Sequence, residues 1–247
     1  MPRLIAGLGS CHWWVQPGDA PVPYLDLFLR DEEAGTSPGL VMQQLGWWAQ
    51  HLVEDGVVAD VALVSYRPHI GQWGSGPVLR AAERCFAADS AVVAQEFLHP
   101  PRLDRHVLAA VHMVDIAAGF HGGRDAGMQW LAAAQPKPVL AVGLPRDVRA
   151  EADRVRTGPE PPAHCLFKKA VSDASAWAAR QQALADYRTA LATFEPHLDT
   201  TEVLHGLLRE HHRLAAGDTD ESACLHLART AAHAHLAHQR RARRNPR

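Results

Sequence analysis

The sequence predicts an α+β fold, with a small antiparallel or mixed sheet near the N-terminus packed by a predominantly helical C-terminal two-thirds. Three observations carry this. Short alternating apolar runs fall before residue 70, a glycine-rich turn follows at Gly71, Gly74 and Gly76, and beyond it apolar residues recur at intervals of three and four. One domain over residues 1–247 is expected, with a sheet-containing part at 1–70 and a mainly helical part at 76–243.

Cys11 to Gln16 and Pro23 to Arg30 read as two strands joined by the turn signal PGDAP. In the second, Leu25, Leu27 and Leu29 alternate with Tyr24, Asp26 and Phe28, so the leucines are expected on the packed face and the other three toward a partner or a cavity. Thr36 or Ser37 can cap a helix over Pro38 to Asp55 that Gly56 ends, with an apolar stripe of Leu40, Val41, Leu45, Trp48 and Leu52. The run VVADVALVSY, ending at Tyr66, reads as a third strand.

The stretch from Tyr66 to Ser90 then reads as a strand, a tight loop and a helix start. Such a junction sets free backbone N–H groups beside Tyr66, His69, Gln72 and Ser75, where an anionic or carbonyl oxygen can be held. The plain alternative is a strand-to-helix corner whose polar residues are solvated. Further helices are expected at 77–98, 103–120, 123–134, 171–193, 200–215 and 219–243. The proline-rich interval 135–162 reads as a loop or lid, and its charged piece RDVRAEADRVR as a solvated helix or part of that lid.

Composition bounds the partners. With 25 basic and 27 acidic residues nothing global points to nucleic acid or a membrane surface, and the basic run from Arg240 to Arg247 reads as a solvated end. The four cysteines lack paired spacing, no apolar stretch reaches the roughly 20 residues of a span, and no signal peptide is evident, so a cytoplasmic location is expected. Among 16 histidines, His233, His235 and His238 fall on an alanine-rich helix near the chain end, a poor frame for a rigid site, so no metal is expected.

The segment YRPHIGQWGSGPVLRAAERCFAADS resembles the YxxExxRYGGxxAxxxAExxFxxDS signature of the lantibiotic dehydratase C-terminal domain family, in its thiopeptide-biosynthesis branch. Tyr66, Gly74, Ala82, Glu83, Phe86, Asp89 and Ser90 stand at matching places. WWVQPGDAPVPYLDLFLR is similar to the family's WWFxRYxDPxxHLRLRL, the stretch Leu103 to Leu131 resembles its helical region, and LLREHHRLAAGDTDESACLHLAR resembles LLHxHHxRxxGxDxxxE. The resemblance implies the fold of the elimination domain, in which glutamate is removed from glutamylated Ser or Thr. That pattern uses two arginines and a histidine, and the matching positions here hold Gln16, Gln72 and Arg209. Glutamines offer only neutral donors and a guanidinium cannot accept a proton at neutral pH, so elimination is expected to be largely lost.

Within this family the thiopeptide pyridine synthases put a similar fold to another use. The resemblance implies a formal aza-Diels-Alder cyclisation that joins two dehydroalanines of a leader-bearing azole peptide. Loss of water and of the leader as its amide then leaves a pyridine. Proton transfer and positioning suffice, so no cofactor is implied. Tyr66, His69, Gln72, Ser75, Arg209 and His211 are the catalytic candidates, and Gln72 both donates and accepts, which suits an amide shifting to its imidic form. Trp13, Trp14, Gln16, Tyr24, Phe28, Trp73, His112, Asp115 and His212 are candidates for binding the peptide, the aromatic ones by stacking its thiazoles. Asp89 and Ser90 are expected to brace the loop. The partner implied is a ribosomally made precursor peptide, with other enzymes of the same pathway alongside. Two alternatives stand beside this: a glutamate-elimination lyase using Arg209 or Arg67 in changed positions, and a non-catalytic peptide-binding partner.

Overall fold

The computed structural model describes residues 11–18, 24–30, 38–98, 103–133, 174–217 and 220–244. Strand β1 (His12–Gly18) pairs antiparallel with β2 (Tyr24–Arg30), setting Trp14 opposite Phe28 and Gln16 opposite Asp26. The alternation is as expected, but Phe28 turns to the core, while Leu25 is exposed as Tyr24 is. Trp14 is 2% exposed and stacks on Phe28 at 5.0 Å, whereas Leu25 is 57% exposed. Phe28 stacks on Trp14, which Phe86 backs, so Phe28 packs inward against α3.

The expected third strand does not form: Val57 to Tyr66 runs without sheet pairing, and among the described residues only β1 and β2 make a sheet. Val61, Leu63 and Val64 stay exposed. An alternating apolar pattern is strand-like only where a sheet edge meets it, and here none does.

Helix α1 (Pro38–Glu54) ends as anticipated at Gly56, whose φ of 67° lets Val57 N–H reach the Leu52 carbonyl at 2.9 Å. Its expected capping residues lie outside the described residues. Leu40 is 56% exposed, so the stripe narrows to Val41, Leu45, Trp48 and Leu52, all half-buried. The tight loop contains a one-turn helix, α2 (Ile70–Trp73), before α3 (Gly76–Leu98) begins.

The helices α4 (Arg105–His121), α5 (Arg124–Ala133), α6 (Ala174–Phe194), α7 (Thr200–Ala215) and α8 (Glu221–Arg244) fall within a turn of their expected bounds. Asp104 caps α4 by accepting from His106 N–H, Gly122 ends it at φ 74°, and Asp199 caps α7 by accepting from Thr201 N–H. The core lies where α4 is enclosed by α5, α6, α7 and α8, with α3 laid on α6. Val78, Ala82, Met113, Ala117, Phe120, Leu184, Tyr187 and Leu204 are buried in it. A smaller cluster of Val92, Val107, Val111 and Trp177 lies further along α3 and α4.

Arg30 pairs with Glu83, fastening β2 to α3. The interval 135–162 lies outside the described residues. His235 contacts Asp125, and no group of three or more metal-binding side chains occurs among the described residues. No helix of the described residues is long and apolar enough to cross a membrane.

Candidate active site

The loop before α3 is held from beneath. Trp73 is buried against Phe86, ring centroids 5.0 Å apart, and its carbonyl accepts from the Tyr187 hydroxyl at 3.0 Å. Gly74 follows at φ 84°, where a Cβ would collide with Val78, so only glycine fits. Ser75 donates to one oxygen of Glu195, from its N–H at 2.8 Å and from its hydroxyl at 2.6 Å. The anion seat expected at this junction therefore holds an anion of the chain itself. The two Ser75 bonds keep the Glu195 carboxyl below its usual range.

A cavity of about 370 Å³ opens beside this loop, lined by Gly71 and Gln72 on one side and by Leu198, Asp199, Glu202, Val203, Gly206 and Arg209 on the other. From Asp199 onward these recur at three and four residues, so one face of α7 and its cap form the wall. Gly206 leaves the space that Gln72 occupies: a Cβ there would lie 2.6 Å from Gln72 Nε2 and 2.7 Å from the Trp73 ring. The cavity thus offers one amide that donates and accepts, one guanidinium that only donates, and two carboxylates that accept.

Of the three positions where the sequence departs from its pattern, Gln72 and Arg209 share this hollow. Gln16 is not among the residues lining it. Its strand is nonetheless fastened to α7, because Arg213 Nη2 donates to the Pro17 carbonyl at 2.9 Å, one turn beyond Arg209.

Tyr66 meets Trp14 and Phe28 edge-on at 5.8 and 5.2 Å, and burial raises the pKa of its hydroxyl against the opposing charge of Arg30. His69 is exposed; its carbonyl accepts from Gln72 and Trp73 N–H groups, but its side chain caps nothing. Trp14, Phe28 and Trp73 belong to the core, whereas Trp13 is half-buried and Tyr24 lies over Gly18.

The remaining candidates gather on the opposite side of α7, since His211 projects about 200° round the helix from Arg209. His211 Nδ1 lies 2.9 Å from both Asp89 oxygens, and its ring stacks on His112 at 4.6 Å. Arg180 binds Asp89, His112 and Asp115 together. Burial raises the Asp89 carboxyl, but the charges and hydrogen bonds of His211 and Arg180 outweigh it and hold it at about 2. Burial drives the His112 pKa well below that of a free imidazole, helped by His211 and Arg180. Ser90 accepts from Val15 N–H at 3.1 Å, bracing β1 on α3. His212 is buried next in the chain.

Sequence reasoning missed Asp199, which lines the cavity, and four further residues. Arg180 interrupts the buried stripe of Trp177, Leu184, Tyr187 and Leu191, and a lone arginine on an apolar face was the available signal. Glu96, buried on α3 and 2.7 Å from His112 Nε2, carried the same signal. Glu195 and Glu202 carried none.

A sequence profile of the lantibiotic biosynthesis dehydratase C-terminal family matches residues 6–242. The chain belongs to that family. Among solved structures it is similar to the tRNA dependent lantibiotic dehydratase MibB from Microbispora sp. 107891, with a TM-score of 0.75 at 20% identity. The match covers 97% of this chain and 26% of that one, so this family member spans about a quarter of the dehydratase chain; at such identity the likeness speaks for the fold alone. None of the curated proteins matches the sequence.

Proposed function

We propose that this member of the family is a cyclase of the thiopeptide pyridine-synthase type, acting on a leader-bearing azole peptide that already carries two dehydroalanines. The observation that carries this is the shared cavity of Gln72 and Arg209. Expelling a glutamate carboxylate calls for clustered cations and a base, whereas this hollow holds one guanidinium facing two carboxylates and an amide. Such a lining suits neutral amides. Gln72 can donate to the carbonyl oxygen and accept from the N–H of the amide that becomes the azadiene, while Asp199 and Glu202 orient further N–H groups.

The reaction on this reading joins the two alkenes, moves protons between nitrogen and oxygen, and releases water and then the leader as its amide. Holding two distant alkenes together supplies on the order of 7 to 11 kcal/mol when the geometry is right. A volume near 370 Å³ fits the reacting segment and leaves the rest of the peptide to the surface, where Trp13 and Tyr24 stand ready to meet its azoles. The peptide is expected to reside where the chain does, in the cytoplasm.

Mass spectrometry of the purified protein with a linear azole peptide bearing two dehydroalanines tests this. A macrocycle and a free leader amide, without added cofactor, are expected. An unchanged peptide overturns the reading, and conversion of a glutamylated peptide to a dehydroalanine peptide replaces it with the lyase, for which Arg209 in the cavity supplies the remaining cation.

A further inference from the structure

Arg180 is 1% exposed and, from α6, reaches α3 and α4 directly and α7 through Asp89. Its Nε and Nη2 donate to Asp115 Oδ2 at 3.2 and 2.8 Å, and its Nη1 donates to Asp89 Oδ1 at 2.8 Å and lies 2.9 Å from His112 Nδ1. A guanidinium has five donors and no acceptor. His112 Nδ1 must therefore accept, which puts the His112 proton on Nε2, facing Glu96 Oε1 at 2.7 Å in a close but poorly aligned contact. Asp89 is a carboxylate and can only accept, so His211 Nδ1, 2.9 Å from it, must carry a proton. When neutral, the two stacked rings are held as opposite tautomers, and one arginine dictates both.

We propose that Arg180 is the positioning residue of the candidate active site: it fixes these two tautomers and, through Asp89 and His211, pins α7 at one rotation, so that Arg209 on the far face meets Gln72. The rest of α7 on that side is Leu204, Leu207 and Leu208, whose burial is non-directional and tolerates a small turn of the helix. The polar network supplies the direction on this side, as the Arg213–Pro17 bond and the close Gly206–Trp73 contact do on the other. A misplacement of about 1 Å is enough to cost on the order of a hundredfold in rate. The effect on turnover rests on the function proposed above; the tautomer pattern does not.

Two-bond ¹H–¹⁵N spectra of the imidazoles at neutral pH test it. His112 is expected as the Nε2–H form and His211 with Nδ1 protonated. In Asp89→Asn the amide oxygen stays with Arg180 and the NH₂ turns to His211, so His211 alone is expected to flip to Nε2–H. Arg180→Met leaves two buried carboxylates without a cation and is expected to unfold, so Arg180→Lys is the working variant. It keeps the charge but cannot span three acceptors. With it, the His112 pattern is expected to become mixed and kcat to fall about ten- to a hundredfold, with KM within about threefold. Identical patterns on both wild-type rings, or an Asp89→Asn protein whose His211 does not flip, overturn the inference whatever the turnover. A wild-type protein that cyclises its peptide and an Arg180→Lys protein that matches it overturn the positioning role and leave the cyclase standing. No turnover by wild type removes the cyclase and with it the catalytic role, and the spectra alone then decide whether Arg180 sets the tautomers.

Discussion

Gln72 lies on Gly206, and nothing larger than a hydrogen fits between them: a Cβ would stand 2.6 Å from Gln72 Nε2 and 2.7 Å from the Trp73 ring. The glutamine end can swing aside, but Trp73 is 5% exposed and enclosed. Gly206→Ala gains up to about 1 kcal/mol of helix propensity. It loses about 1–3 kcal/mol to overpacking, so a net destabilisation is expected by urea denaturation. Turnover is expected to fall at least tenfold because Gln72 is displaced, and a variant as active as wild type would detach this contact from the chemistry.

Gln72 itself is the sharper probe of mechanism. If it stabilises the imidic form in the transition state, Gln72→Ala lowers kcat and leaves KM nearly unchanged, by roughly 10- to 100-fold for one lost donor–acceptor pair. Tyr66→Phe is expected to follow in the same direction, more weakly. Steady-state kinetics decide, and a rise in KM with unaltered kcat would place both residues in recognition.

The helices were legible because each carries its own period and stops: Gly56 ends α1 at positive φ as its position promised, and Gly122 ends α4 in the same way. The run Val57 to Tyr66 misled because its alternation is local, whereas a strand is made by its neighbour. The faces of β2 misled for a similar reason, since which side is inside depends on what α3 presents, and it presents Phe86. In the site, Gln72 and Arg209 were found through a motif and do share a cavity. Arg180 and Glu195 act across 91 and 120 residues of sequence, on Asp89 and Ser75, and no local spacing encodes such pairs.

The Ser75–Glu195 contact ties the loop that carries Gln72 to the turn that carries Leu198 and Asp199, the two walls of one cavity. Glu195→Gln keeps an acceptor for both Ser75 donors and is expected to behave almost as wild type. Glu195→Ala removes it, so the Ser75 amide is expected to exchange its hydrogen at least tenfold faster and KM to rise several-fold as the walls part. Unchanged exchange in Glu195→Ala would show that the loop is held by Trp73 and Tyr187 alone.

Glu96 makes the fold sensitive to alkali. Burial, reinforced by Asp89 and only partly offset by Arg180, raises its carboxyl from 4.5 to about 8. A group that binds its proton more tightly when folded contributes stability that is full below the unfolded value and is lost as pH rises through the folded one. The loss therefore falls between about pH 4.5 and 8, and a shift of this size corresponds to on the order of 3–5 kcal/mol. Asp89 has the opposite sign: held at about 2, its contribution is present above the ordinary aspartate value and vanishes only as pH falls through about 2. Stability is thus expected to be greatest in mildly acid solution. Glu96→Gln, which cannot ionise, is expected to melt at nearly the same temperature at pH 6 and pH 9, while wild type melts several degrees lower at pH 9. Parallel melting curves for the two proteins across that range would mean that Glu96 keeps its charge in the folded chain.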